Sequence, residues 1–124
     1  MNANELRIGN WVIANGLYEG QEKQFKHFND ALTTVFFMDG FKIGYVGEYL
    51  KDIKPIPLTE EWLLKFGFMK SMSNWYSNND YAIELCESFI QIDIGYTTIT
   101  VDVKYVHQLQ NLYFALTGEE LKIK

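Results

Sequence analysis

The chain has 124 residues, 48% of them hydrophobic and 22% charged, the composition of a folded globular protein rather than a disordered one. Eleven basic against sixteen acidic side chains give a net charge of −5, which weighs against a surface built to grip phosphate backbones. Cys86 is the sole cysteine, so no intramolecular disulfide and no cysteine-based zinc site can form, and a reducing cytoplasm is the expected setting.

The opening Met1-Asn2-Ala3-Asn4-Glu5-Leu6-Arg7 is polar, with no apolar signal core behind it, and nowhere do about 18 apolar residues run together. Trp11-Val12-Ile13-Ala14 reads as a strand before Asn15-Gly16, a pair that tolerates the positive φ of tight turns. Phe25-Lys26-His27-Phe28 is aromatic but does not alternate strictly. Thr33 to Met38 and Phe41 to Val46 flank Asp39-Gly40, a strong hairpin signal. Several short strands in about 55 residues predict a small SH3-like β-barrel or curled sheet over residues 1–57. Lys54-Pro55-Ile56-Pro57-Leu58 follows as a stiff, extended connector, because proline lacks an amide hydrogen and holds its predecessor extended.

Residues 58–124 predict an α+β lobe. Thr59 suits a helix N-cap, Glu60 and Glu61 complement the positive end of the helix dipole, and Gly67 suits the left-handed closing position, so 60–66 reads as helix. From about 75 to 103 the pattern predicts a four-stranded antiparallel meander. Ile90, Ile92 and Ile94 alternate with polar neighbours, as do Ile99, Val101 and Val103. A packing helix over 104–116 follows, with Tyr105, Val106, Leu109, Leu112, Tyr113 and Leu116 on one stripe and Thr117-Gly118 as its stop. The whole chain therefore reads as α+β.

Three segments carry a family resemblance. They are Glu5-Leu6-Arg7-Ile8-Gly9-Asn10-Trp11-Val12, Ile56 to Phe68 (IPLTEEWLLKFGF) and Tyr105 to Leu121 (YVHQLQNLYFALTGEEL). Together they resemble a family of small uncharacterised proteins from gut Bacteroidetes, their phages and other mobile elements. The resemblance implies a bacterial, phage-related context and no catalytic residue or cofactor.

No constellation of residues points to catalysis, a cofactor or a metal. His27, Cys86 and His107 lack the spacing of zinc ligands, and His27-Phe28-Asn29-Asp30 by itself sets up no triad. Cys86 shares a strand face with Glu84, whose charge disfavours the reactive thiolate. Neither a Gly-x-Gly-x-x-Gly nor a Walker-type loop occurs.

Two binding readings remain. The aromatic excess of 16% could stack single-stranded nucleic acid on the first lobe, through Trp11, Phe25, Phe28, Phe36, Phe37, Phe41 and Tyr45 with Lys23, Lys26 and Lys42. Alternatively, the last helix has a second face on which Phe114 sits among His107, Gln110 and Asn111. Interface centres are rich in aromatics and poor in charge, so this face is a candidate for a protein partner or self-association. It could equally dock on the first lobe. A non-enzymatic interaction protein is the expected function, with the nucleic-acid module as the alternative and no membrane role.

Overall fold

A computed structural model of the chain describes residues 3–14, 20–28, 34–37 and 48–124. The chain forms two compact units, residues 1–56 with 106–111 and residues 57–105 with 112–124.

In the first unit, β1 (Trp11–Ala14), β2 (Gln21–Phe28), β3 (Thr34–Phe37), β4 (Glu48–Tyr49) and β5 (Ile53–Lys54) pair antiparallel in the order β4-β3-β2-β1-β5. Among the described residues the sheet is not a closed barrel, in contrast to the SH3-like barrel anticipated above. Its edge strands are two residues each, too short to build a closing ladder. They are nevertheless joined by a single 3-10 turn, Leu50–Asp52, so the edges lie within about 15 Å and the sheet is curled. The broken alternation at Phe25-Lys26-His27-Phe28 has a simple origin. Phe25 pairs with Phe37 and His27 with Phe36, so Lys26 is the extra residue of a β-bulge, which bends the strand. The Asp39-Gly40 hairpin and the run 41–46 lie outside the described residues.

The core of this unit comprises Leu6, Val12, Ala14, Phe25, Val35 and Ile53, with Leu50 packed against them. The burial pattern of β1 alternates, with Val12 and Ala14 inward, as one apolar face requires. Ile56 is buried and its carbonyl accepts from Val106 N–H at 2.8 Å, so the proline-flanked stretch is tethered at that point.

The second unit opens with α1 (Glu60–Lys65). Thr59 has the extended backbone of an N-cap, but its hydroxyl makes no capping bond. The expected C-terminal closure does form. Gly67 has φ 90°, its N–H donates to Leu64 C=O at 3.0 Å, and Phe68 N–H donates to Leu63 C=O at 3.0 Å, a Schellman motif that buries Leu63 and Phe68 together. The meander that follows has five strands rather than four: β6 (Met69–Met72), β7 (Trp75–Ser77), β8 (Ala82–Leu85), β9 (Ile90–Asp93) and β10 (Thr98–Val101), each paired antiparallel with the next. β6 gives no period-two signal because all four of its residues are exposed at the sheet edge. Tyr76, Ile83, Ile90 and Ile92 face inward and are buried.

α2 (Val106–Thr117) is shared between the units, its first half in one and its second half in the other. Gly118 ends it at φ 76°, its N–H donating to Phe114 C=O at 2.8 Å. Leu116, expected in the core stripe, is 40% exposed. It lines an open cleft instead of a packed surface.

Candidate functional site

Three of the four residues on the second face of α2 are already engaged within the first unit. Gln110 is buried; its Oε1 accepts from Trp11 N–H at 2.8 Å and its Nε2 donates to Gly9 C=O at 2.9 Å. Asn111 donates from Nδ2 to Glu5 C=O at 2.9 Å, while its Oδ1 accepts from Arg7 Nη1 at 2.6 Å and Asn10 Nδ2 at 3.0 Å. Segment 5–11 is preshaped for this. Gly9 has φ 96°, Asn10 N–H donates to Arg7 C=O, and Asn10 Oδ1 accepts from Arg7 N–H. A side chain at position 9 would be strained by that φ. The first and last of the resemblance segments are thus bonded to each other. His107 is buried as well, and burial pulls its pKa below the ordinary 6.5 despite the opposing charge of Glu5, so the ring is neutral at pH 7.

Phe114 differs in exposure and in the unit it belongs to. It is 41% exposed, beside the exposed Ala115 and Leu116, in the half of α2 that belongs to the second unit. The structure therefore divides the four residues: His107, Gln110 and Asn111 belong to the first unit, and Phe114 belongs to the second with 41% of its surface exposed.

The second unit also carries a polar site that sequence reasoning passed over as an ordinary turn. Asn78 Oδ1 accepts from the N–H groups of Asp80 and Tyr81, both at 2.9 Å, which fixes the 78–81 turn. That turn presents Asp80 to Tyr113, whose hydroxyl donates to Oδ2 at 2.5 Å, and Asn78 Nδ2 donates to the same hydroxyl at 3.2 Å. Phe68 and Tyr81 hold the Tyr113 ring edge-on, with ring centroids 6.4 and 6.1 Å away. Burial, then the Asp80 bond, push the phenol pKa above 10, so Tyr113 stays protonated and acts as a donor. Clefts of about 650 and 470 Å³ flank the turn, with Asp93 and Glu119 on the first and Glu120, Lys122 and Lys124 on the second. The Asn-Asn-Asp run was the available signal; its partner Tyr113 is 33 residues away.

Cys86 has its Sγ 3.7 Å from Glu84 Oε1, and burial together with the Glu84 charge pushes the thiol pKa up, away from a reactive thiolate. Among the described residues no three His, Cys, Asp or Glu side chains converge as metal ligands. Of the aromatic and lysine set weighed for nucleic acid, Phe25 is buried and Trp11, Phe36, Lys23 and Lys26 are half-buried. The side chains of His27, Phe28, Phe37, Phe41, Lys42 and Tyr45 lie outside the described residues. No helix among the described residues is long and apolar enough to cross a membrane. No known family model, curated protein or solved structure matches the chain.

Proposed function

We propose that this chain is a non-enzymatic interaction protein that meets a protein partner through Phe114. The observation that carries this reading is the exposure of that side chain at 41%, where the polar residues preceding it on the same helix face are consumed by internal hydrogen bonds. Large aromatics left half outside a core, next to further exposed apolar groups, supply the anchors of protein interfaces. The resemblance of the three segments adds the setting, an accessory role for a phage or other mobile element of gut Bacteroidetes. The same reading takes the reducing cytoplasm as the compartment, on the single cysteine. It also takes the first sheet as an SH3-like scaffold, on its five antiparallel strands.

The test is quantitative capture from the bacterial host, with the wild-type chain and Phe114→Lys as paired baits over a salt series. A protein recovered by the wild type at high salt and lost with Phe114→Lys supports the proposal. Equal recovery by both baits contradicts it. Recovery of nucleic acid that falls steeply with salt favours phosphate-driven binding instead and also contradicts it.

A further inference from the structure

The two edges of the second sheet are built differently. β6 carries Lys70 and a bulge between Lys70 and Met72, two devices that keep an exposed edge from pairing with another chain. β10 has neither. Thr98-Ile99-Thr100-Val101 pairs with β9 residue for residue, is uncharged and β-branched throughout, and exposes its first three residues. No ionisable side chain except Tyr96 lies between Asp93 and Asp102, and Lys104 Nζ is 3.6 Å from the Asp102 carboxylate.

The ladder shows what this edge offers. Ile94 N–H donates to Thr97 C=O at 3.0 Å, so Thr97, Ile99 and Val101 turn their backbone groups toward β9. Thr98 and Thr100 therefore turn theirs outward. Ile99 ends the inward row Tyr76, Ile83, Ile92, Ile99, in which the first three are buried and Ile99 keeps 38% of its surface exposed. The sheet stops one strand before its apolar row is covered.

We propose that β10 pairs antiparallel with β10 of a second copy of this chain, about a two-fold axis through Ile99, joining two five-stranded sheets into one. Thr98-Ile99-Thr100 reads the same in both directions. The pairing sets Thr98 of each copy against Thr100 of the other, where their outward N–H and C=O groups exchange hydrogen bonds. It also sets Ile99 against its own copy, covering the surface the row leaves open. No like charges meet across the axis. With strands of four residues the buried area is well below that of a standard interface, so the dimer is weak.

Sedimentation equilibrium on the full chain from about 10 μM to about 1 mM tests this, since short interfaces have affinities in that range. Thr98→Lys with Thr100→Lys puts like charges opposite each other in this register, whereas Thr98→Lys with Thr100→Glu puts each lysine against a glutamate. The wild type dimerises, the double-lysine variant dissociates at least about tenfold more readily, and the lysine–glutamate variant stays within about threefold of the wild type. Amide exchange at Thr98 and Thr100 in the wild type slows as concentration rises. A wild type that is monomeric at about 1 mM overturns the proposal. So does a double-lysine variant that dimerises as well as the wild type, or equal loss in both double variants, or concentration-independent exchange at both threonines.

Discussion

Gln110 holds the start of β1 in place: its side-chain carbonyl accepts from the backbone N–H of Trp11 at 2.8 Å while its amide donates to Gly9 C=O at 2.9 Å. Both bonds are made by a side chain with 1% of its surface exposed. Removing it leaves two backbone groups short of a partner in a dry setting, and each such loss costs about 1–3 kcal/mol. Gln24 Nε2 still donates to Gly9 C=O at 3.0 Å, which softens one of the two losses. Gln110→Ala is therefore expected to lose about 3 kcal/mol of unfolding free energy by urea denaturation. A loss under about 1 kcal/mol would mean that the helix does not brace β1.

His107 makes stability pH-dependent. Its pKa in the folded state lies below 6.5, chiefly through burial, so below 6.5 the unfolded chain binds more protons than the folded one. The stability associated with the neutral ring is complete above 6.5 and is lost as pH falls toward the folded-state pKa. Thermal melts between pH 7.5 and 5.5 should show a falling Tm, and His107→Gln should flatten that slope. Parallel slopes in the two proteins would contradict the assignment.

Gly67 closes α1 at φ 90°, where a side chain costs about 1–2 kcal/mol on backbone grounds. A Cβ there also meets Lys124 Cγ at 2.7 Å, because Lys124 N–H is bonded to Lys65 C=O at 2.8 Å and draws the chain end over the helix. Gly67→Ala should destabilise by about 1–2 kcal/mol, with only a minor part recovered when Lys124 is shortened to alanine, since a lysine end moves cheaply. Full recovery in the double variant would show that the clash, not the φ, sets the cost.

Tyr113 and Asp80 should be energetically coupled. Tyr113→Phe and Asp80→Ala, alone and together, form a cycle whose interaction energy is expected near 1 kcal/mol, kept modest because Asp80 is exposed. Additive losses would remove the turn from the account of the second unit.

Much of the second unit is legible in the sequence because its signals are local. Gly67 and Phe68 announce the end of α1, and the period-two isoleucines of β9 announce a strand with one buried face. The misreadings come from non-local causes. The bulge at Lys26 hides the alternation of β2, and β6 has no buried residue to mark it. Leu116 fits the helical stripe by angle, yet it lies over a cleft. Gln110 and Asn111 look like surface residues because polar side chains usually are. Their role depends on carbonyls and amides about 100 residues away, and no periodicity encodes that. The sharing of α2 between two units likewise has no local signature.

The central claim, that Phe114 is a contact residue while its polar neighbours are internal, is tested most directly by site-specific photo-crosslinking in host cells. A benzoyl-phenylalanine at position 114 is compared with the same group at Glu87, an exposed position in the same unit. The account predicts a discrete protein adduct from position 114 and none from 87, in a chain whose melting temperature is within about 3 °C of the wild type, as a surface substitution allows. The absence of an adduct at 114, or the same adducts from both positions, would contradict it.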